Sequence, residues 1–411
     1  MKEKSETKPL YNSNIPSDWE VISLGNLGEF KNGINKDKEE FGHGFPLVNL
    51  MDVFGISKVS MLHEKLGLVN TNDRERIDFS LVKGDVLFVR SSVKPEGVGL
   101  TSLICKDIPN ATYSGFLIRF RDNGKLDFDY KTHCFYEEGF RKRLLNKSTI
   151  SANTNINQEA LKSLKITLPP LPEQKAIAEV LSTWDKAINN MQLTIDNLQL
   201  RKKWLMQQLL TGKKRLKGFE KEKWKEIHLC EIIEEYKETT NSDNEYEVLT
   251  SAKRGLLLQK DYFGTNRITG RDNSGFNIIP PGYITYRSRS DDGVFTFNQN
   301  NFNFSGIISI YYPVFKIVNA SCKFFVEFCN FHQTSFKKYS VGTSQLVLSM
   351  NDLKSAKFYF PNQNEQIAIA KVLKTVDKEI QLLKSKTDKL REQKKGLMQQ
   401  LLTGKIRLYY E

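Results

Sequence analysis

Two stretches of the chain carry apolar residues at alternating steps of four and three. In the first these are Ile177, Leu181, Trp184, Ile188, Met191, Ile195, Leu198, Leu205 and Leu209; in the second they are Ile369, Leu373, Val376, Ile380, Leu383, Leu390, Leu397 and Leu401. A seam of that spacing, sustained for more than four heptads, predicts two long helices of coiled-coil type. Pro172 suits a first helical turn, and Gly212 and Gly404 suit C-terminal stops. From Ile177 to Leu209 such a helix rises about 50 Å at about 1.5 Å per residue.

The two stretches are copies of one another. The segment EQKAIAEVLSTWDKAINNMQLTIDNLQLRKKWLMQQLLTGKKRL begins at Glu173, and EQIAIAKVLKTVDKEIQLLKSKTDKLREQKKGLMQQLLTGKIRL begins at Glu365; they align without a gap at an offset of 192 residues, with 26 of 44 positions identical. Lys202, its counterpart Lys394, and Thr387 (aligned with Ile195) are polar on the seam. Such residues either fix the alignment of two helices of this chain, or the lysines snorkel at a frayed end. Gly396 replaces Trp204 in the second copy, a change that weakens a helix interior by about 1 kcal/mol relative to alanine.

Before each helix lies a region of short apolar runs broken by Gly, Asn, Asp and Pro, the pattern of mixed strands and loops. Both regions open with a tryptophan, Trp19 and Trp224, and both contain a turn glycine, a strand, then arginine and serine: LVKGDVLFVRSS from Leu81 and IIPPGYITYRSRS from Ile278. Elsewhere they diverge, as expected of one scaffold carrying two different binding surfaces. The resulting division is a polar extension (1–16), a first domain of mixed strands and loops (17–168), a first helical region (169–216), a second such domain (217–360) and a second helical region (361–411).

Composition narrows the function. Across 411 residues, 61 Lys+Arg against 48 Asp+Glu leave a net charge of +13, and 26 Phe and 15 Tyr supply core material. The positive excess points to an acidic partner, nucleic acid first. Residues 201–225 concentrate it, with ten Lys/Arg against Glu220 and Glu222; they suit phosphates or simply solvate a coiled-coil exterior. The richest apolar stretch, residues 307–315, is too short to cross a membrane and reads as one buried strand. The polar amino terminus lacks a secretory signal, and five scattered cysteines without a CxxC pair suggest reduced, buried thiols in a cytoplasmic protein.

The motifs LPPLPEQKAIAEVLSTWDKAI with KKWLMQQLLTGKKRL, and NEQIAIAKVLKTVDKEI with KKGLMQQLLTGKIRL, resemble the specificity subunit of Type I restriction-modification systems over essentially the whole chain. FPNQNEQ at Phe360 departs from the double proline of LPPLPEQ. The resemblance implies an α+β fold: two mixed α/β target-recognition domains separated by two long conserved helices, paired as an antiparallel coiled coil with pseudo-two-fold symmetry. It also implies a DNA-binding subunit that chooses the sequence for others. Two methylation subunits would use S-adenosylmethionine, and restriction subunits would use ATP and Mg, with no cofactor on this chain. Trp204 is a plausible docking residue for them, or packs on its own domain.

Antiparallel pairing would place the two domains at opposite ends of the rod. Ten base pairs of duplex DNA span about 34 Å, so a rod of about 50 Å fits two short targets about one turn or slightly more apart. Because the two domains differ in sequence, the expected target is bipartite and asymmetric, with a spacer measured by the helices and not read. For base reading the candidates are Arg90, Ser91, Ser92 and Lys94 in the first domain, and Arg287, Ser288, Arg289 and Ser290 in the second. Arginine can contact guanine with two hydrogen bonds, and serine serves several base edges. Asn155, Arg254 and Gln345 lie on further polar loops.

Catalytic signatures are missing from the sequence. LLTGKK at Leu209 lacks the first glycine and the Ser/Thr of a phosphate loop, IPPGY at Ile279 has the wrong order for an adenine-methyltransferase tetrapeptide, and His63 has no second histidine at helical spacing. The competing expectation is a coiled-coil scaffold whose globular domains bind protein partners.

Overall fold

The computed structural model describes residues 7–10, 13–59, 66–252, 255–264 and 272–408; His63 and Arg254 lie outside them. Two compact units emerge, and neither is a continuous segment. Residues 1–192 with 385–411 form the first, and residues 193–384 form the second. Each unit therefore holds one recognition-type region and part of both long helices, which run over Leu171–Leu209 and Gln363–Leu402.

In the first unit the core sheet has five strands in the order Gly28–Asn32, Leu117–Asp122, Val86–Val89, Thr101–Ile104 and Lys58–Val59. Its first four strands pair antiparallel, with Phe120 opposite both Phe30 and Val86. Phe30, Phe88, Phe120, Phe135 and Phe140 fill one core with Trp19, Ile177 and Leu181. From the other helix, Leu401 and Leu402 enter the same core, so the end of the second repeat seals the domain that starts the chain.

The second unit repeats this plan with different residues. Its four-stranded antiparallel sheet runs Ile233–Tyr236, Val314–Ile317, Ile284–Tyr286, Phe297–Gln299. Leu209 and Leu210 enter its core beside Ile369, Leu373, Phe315 and Phe324. Gly84 and Gly282, with φ of 95° and 83°, make the left-handed turn before the equivalent strands, a conformation glycine adopts without a Cβ penalty. Residues 307–315 are not one strand: Gly306–Ile308 and Val314–Ile317 belong to separate sheets. Between them a turn leaves Ile310 and Tyr311 exposed, and Pro313, which has no N–H to give to a ladder, directly precedes the second strand.

Within each unit the helices run antiparallel. In the first, Lys394 Nζ lies 2.6 Å from both carboxylate oxygens of Asp185. In the second, Lys202 Nζ lies 2.7 Å from Asp377, and Ile195, Leu198, Val376 and Ile380 close the seam. The lysines thus end on the facing helix and do not snorkel outward. Partly exposed pairs of this kind add at most about 1 kcal/mol each, so their main effect is on register. Ile188 and Thr387 are buried on the seam, whereas Trp184 is only half-buried, where Asp185 and Lys394 take up the helix contact. Gly396 stays helical.

Two buried ion pairs bind one repeat to the end of the other. Glu173, 1% exposed, accepts Arg407 Nε at 2.7 Å, Arg407 Nη2 at 2.9 Å and Trp19 Nε1 at 2.9 Å. Glu365, also 1% exposed, accepts Arg215 Nε at 2.7 Å and Nη2 at 2.5 Å. The two joints are the same pair of repeat positions with the roles of the copies exchanged. The neighbouring glutamines fasten each helix to its own domain. Gln174 Oε1 accepts the Asp127 N–H at 2.8 Å, and Gln366 Oε1 accepts that of Ser321 at 2.9 Å.

All five cysteines are free thiols. Cys134 and Cys329 are buried as expected, but Cys230 is exposed. Among the described residues no helix is long and apolar enough to cross a membrane, and no group of His, Cys, Asp and Glu is arranged to hold a metal ion.

Candidate nucleic-acid interface

The buried strand Val86–Val89 leaves the first core through Arg90 and continues as Ser91–Ser92, which pairs antiparallel with Thr154–Asn155. Asn155 faces Ser91 in that pairing, so Ser91, Ser92 and Asn155, far apart in sequence, meet in one small sheet; Lys94 lines one cavity with the two serines, and Arg90 precedes them on the strand. Arg90 is anchored: its N–H donates to the Phe116 carbonyl at 2.8 Å, and Nη1 donates to Gly115 at 3.3 Å. Asn155 Nδ2 donates to the Asn153 carbonyl at 2.9 Å. Ser91 and Ser92 are half-buried, and Lys94 is exposed.

The loop that follows is held from below. Arg141 Nη2 donates to the carbonyls of Val98 at 2.7 Å and Glu96 at 3.0 Å. Arg141 Nη1 is buried with no hydrogen-bond partner among the described residues, and desolvation lowers the guanidinium pKa. This cation sits beneath the candidate loop, paired with backbone carbonyls, and adds to a field that attracts phosphate.

The second unit builds the matching surface. The strand Ile284–Tyr286 leads through Arg287 and Ser288 to Arg289–Ser290, which pairs with Leu346–Val347. Ser288 donates to the Tyr311 carbonyl from its N–H at 3.0 Å and from Oγ at 2.8 Å, and the Arg289 guanidinium lies 4.4 Å from the Tyr311 ring centre. Gln345 Nε2 donates to Asp291 at 3.0 Å. Arg287 and Arg289 are exposed. Ser290 differs from the expectation of a base-facing residue: it is 5% exposed, and its hydroxyl donates to Asp292 at 2.8 Å and accepts the Val294 N–H at 3.0 Å. It closes a turn.

Sequence reasoning missed the exposed aromatics. Phe116 accepts the N–H of Arg90 as Tyr311 accepts that of Ser288, so the two occupy equivalent positions beside equivalent strands, and both are exposed. In a linear sequence each looks like a core residue; only the pairing of the strands shows that it stands on a tip. Of the basic stretch 201–225, Lys202 and Arg215 are committed to Asp377 and Glu365, while Arg201, Lys203, Lys213, Lys217, Lys221, Lys223 and Lys225 are exposed. Trp204 is 46% exposed, with the Lys214 amine 5.1 Å from its ring centre, so it is not buried against a domain.

Two unlike heads on a repeated helical frame are matched, over residues 16–199 and again over 221–392, by the family model described as the Type I restriction modification DNA specificity domain. The chain belongs to that family. Among Type I specificity chains, one of Methanocaldococcus jannaschii assigned as the MjaX specificity subunit is 28% identical over 429 residues, covering 96% of this chain and 95% of that one. The MjaVIII specificity subunit of the same organism is 23% identical over 438 residues, covering 98% and 96%. The Type I S subunit structure from M. genitalium superposes with a TM-score of 0.52 at 16% identity, over 96% of this chain and 98% of the other. That likeness concerns the fold.

Proposed function

We propose that this chain is the non-catalytic DNA-specificity subunit of a Type I restriction-modification complex. The first unit reads one half of an asymmetric bipartite duplex target and the second unit reads the other. The observation that carries this reading is the recurrence of one surface, a strand ending in basic and hydroxyl side chains beside an exposed aromatic, in two units whose residues there differ. Arginine and serine at such positions suit base edges, and the surrounding lysines suit phosphates. Arg287, Ser288, Arg289 and Gln345 act in the second unit, and Arg90, Ser91, Ser92, Lys94 and Asn155 in the first.

The long helices set the spacer length and, with the exposed Trp204, offer a surface to two methylation subunits. Those partners supply S-adenosylmethionine chemistry, and restriction subunits supply ATP- and Mg-dependent cleavage, in the cytoplasm. The protein-binding scaffold gains no support from family membership in a DNA specificity domain.

The test is methylation mapping in cells carrying the complete system, with and without this chain. A split adenine motif that vanishes on deletion is the expected result. A methylation pattern unchanged by deletion would rule out the assignment. Purified chain alone is expected to transfer no methyl groups.

A further inference from the structure

The first unit carries a group of apolar side chains where a soluble surface would be polar. Met51 and Val93 are 80% and 82% exposed, and Phe54 and Phe116 are also exposed. Single exposed apolar residues need no explanation, but a contiguous patch marks a binding surface. These four line one open cavity of about 330 Å³ together with Leu50, Ser91, Ser92, Lys94 and Asn153. Three of the base-reading candidates therefore form the polar wall of an apolar depression.

The depression is built and not incidental. A Cβ on Gly97 would stand 2.3 Å from Ser92 Oγ and 2.8 Å from Phe54 Cε2, so the loop approaches the cavity wall as closely as glycine permits. Arg141 pins the carbonyls on either side of that glycine, at Glu96 and Val98. The strand pairing of Ser91 and Ser92 with Thr154–Asn155 fixes the opposite side.

An occupant that fits this lining combines an apolar knob with an adjacent polar group to which a serine hydroxyl can donate, on an anionic body that suits Lys94. In the major groove of duplex DNA thymine presents this combination: a C5-methyl group beside the O4 acceptor. Cytosine offers no methyl there and carries a donor in place of O4. We propose that this cavity reads a thymine through its 5-methyl group, which seats against Met51, Val93 and Phe116 while a Ser91 or Ser92 hydroxyl donates to O4. The half-target of the first unit then contains at least one such thymine. This inference rests on the DNA-specificity reading above.

The experiment uses the assembled complex and synthetic duplexes carrying its mapped target. Each thymine of the first half is replaced in turn by deoxyuridine, which removes only the methyl group. One replacement is expected to weaken binding about 3–10-fold, the size expected for one buried methyl. Chains with Met51→Ala or Val93→Ala are expected to bind the thymine and deoxyuridine duplexes alike. No loss at any first-half thymine would overturn the proposal, as would Met51→Ala and Val93→Ala chains that keep full thymine preference. Loss of partner subunits from these two variants, with thymine preference intact, would mark the cavity as a protein-docking surface and also overturn it. If the mapped duplex binds no better than a scrambled one, the DNA-specificity reading itself fails, a result distinct from all of these.

Discussion

Glu173→Ala is expected to destabilise the first unit by about 3–5 kcal/mol, the cost of removing one partner from a buried ion pair. The carboxylate is almost wholly buried and satisfies two guanidinium nitrogens and the Trp19 indole N–H. Its loss strands Trp19 Nε1 outright. Arg407 falls back on Asp18, which it also contacts at 2.7 Å, so the lower end of the range is expected. Glu365→Ala removes the carboxylate partner of Arg215, whose other bond is to the Glu222 carbonyl, and should cost the second unit at least as much. The exchange of roles between the copies sharpens the prediction. Arg407→Ala, near the carboxyl end, should weaken the unit that begins the chain. Urea denaturation of each variant supplies the numbers through the shift in midpoint. A loss below about 1 kcal/mol in Glu173→Ala would show that the joint is not a structural determinant.

The second large effect is a pH dependence. His133 is 4% exposed, its Nε2 has no hydrogen-bond partner among the described residues, and it lies near Lys394, Asp185, Lys58 and Asp129. Burial, with the Lys394 charge adding to it, holds its pKa down to about 4 against 6.5 in the open chain. The neutral ring is the folded form, so a proton binds the unfolded state first. Stability is complete above pH 6.5, falls as pH drops through that value, and bottoms out near pH 4, a total of about 3 kcal/mol at about 1.4 kcal/mol per pH unit. Carboxylates such as Asp18, lowered chiefly by its hydrogen bond to Arg407, lose their contribution only below about pH 5, at the acid end of this window. His332 in the second unit is also shifted down by burial, so the quantity to read is the difference between the native chain and His133→Gln. That difference should grow steadily from pH 6.5 to 4.5; equal slopes would refute the assignment.

What could be read from residues alone follows from how local each feature is. The long helices are legible because a heptad seam repeats within a few residues, and the terminal glycines adopt φ near 70° as helix stops require. Lys202 and Lys394 stand out as polar on that seam, but their partners Asp377 and Asp185 are far away in sequence, and only the folded pairing identifies them. The strands of the two sheets are marked by their apolar runs. Their order is not, because Val86–Val89 finds Leu117–Asp122 and Thr101–Ile104 through contacts that no single window contains. The candidate surface was half visible. Its basic and hydroxyl residues have a polar signature, whereas Met51, Val93 and Phe116 share their signature with the core. Ser290 shows the converse: its type suits a base edge, yet Asp292 and Val294 use its hydroxyl to close a turn.

Exchange of recognition segments bears most directly on the whole account. Residues 17–168 are replaced by the corresponding segment of another specificity subunit, the helices are left untouched, and methylated adenines are mapped in cells with the complete system. One half of the motif should change, while the other half and the number of bases between them stay as they were. A motif altered in both halves, or one with a new spacer length, would contradict two independent readers on a helical frame that measures the gap.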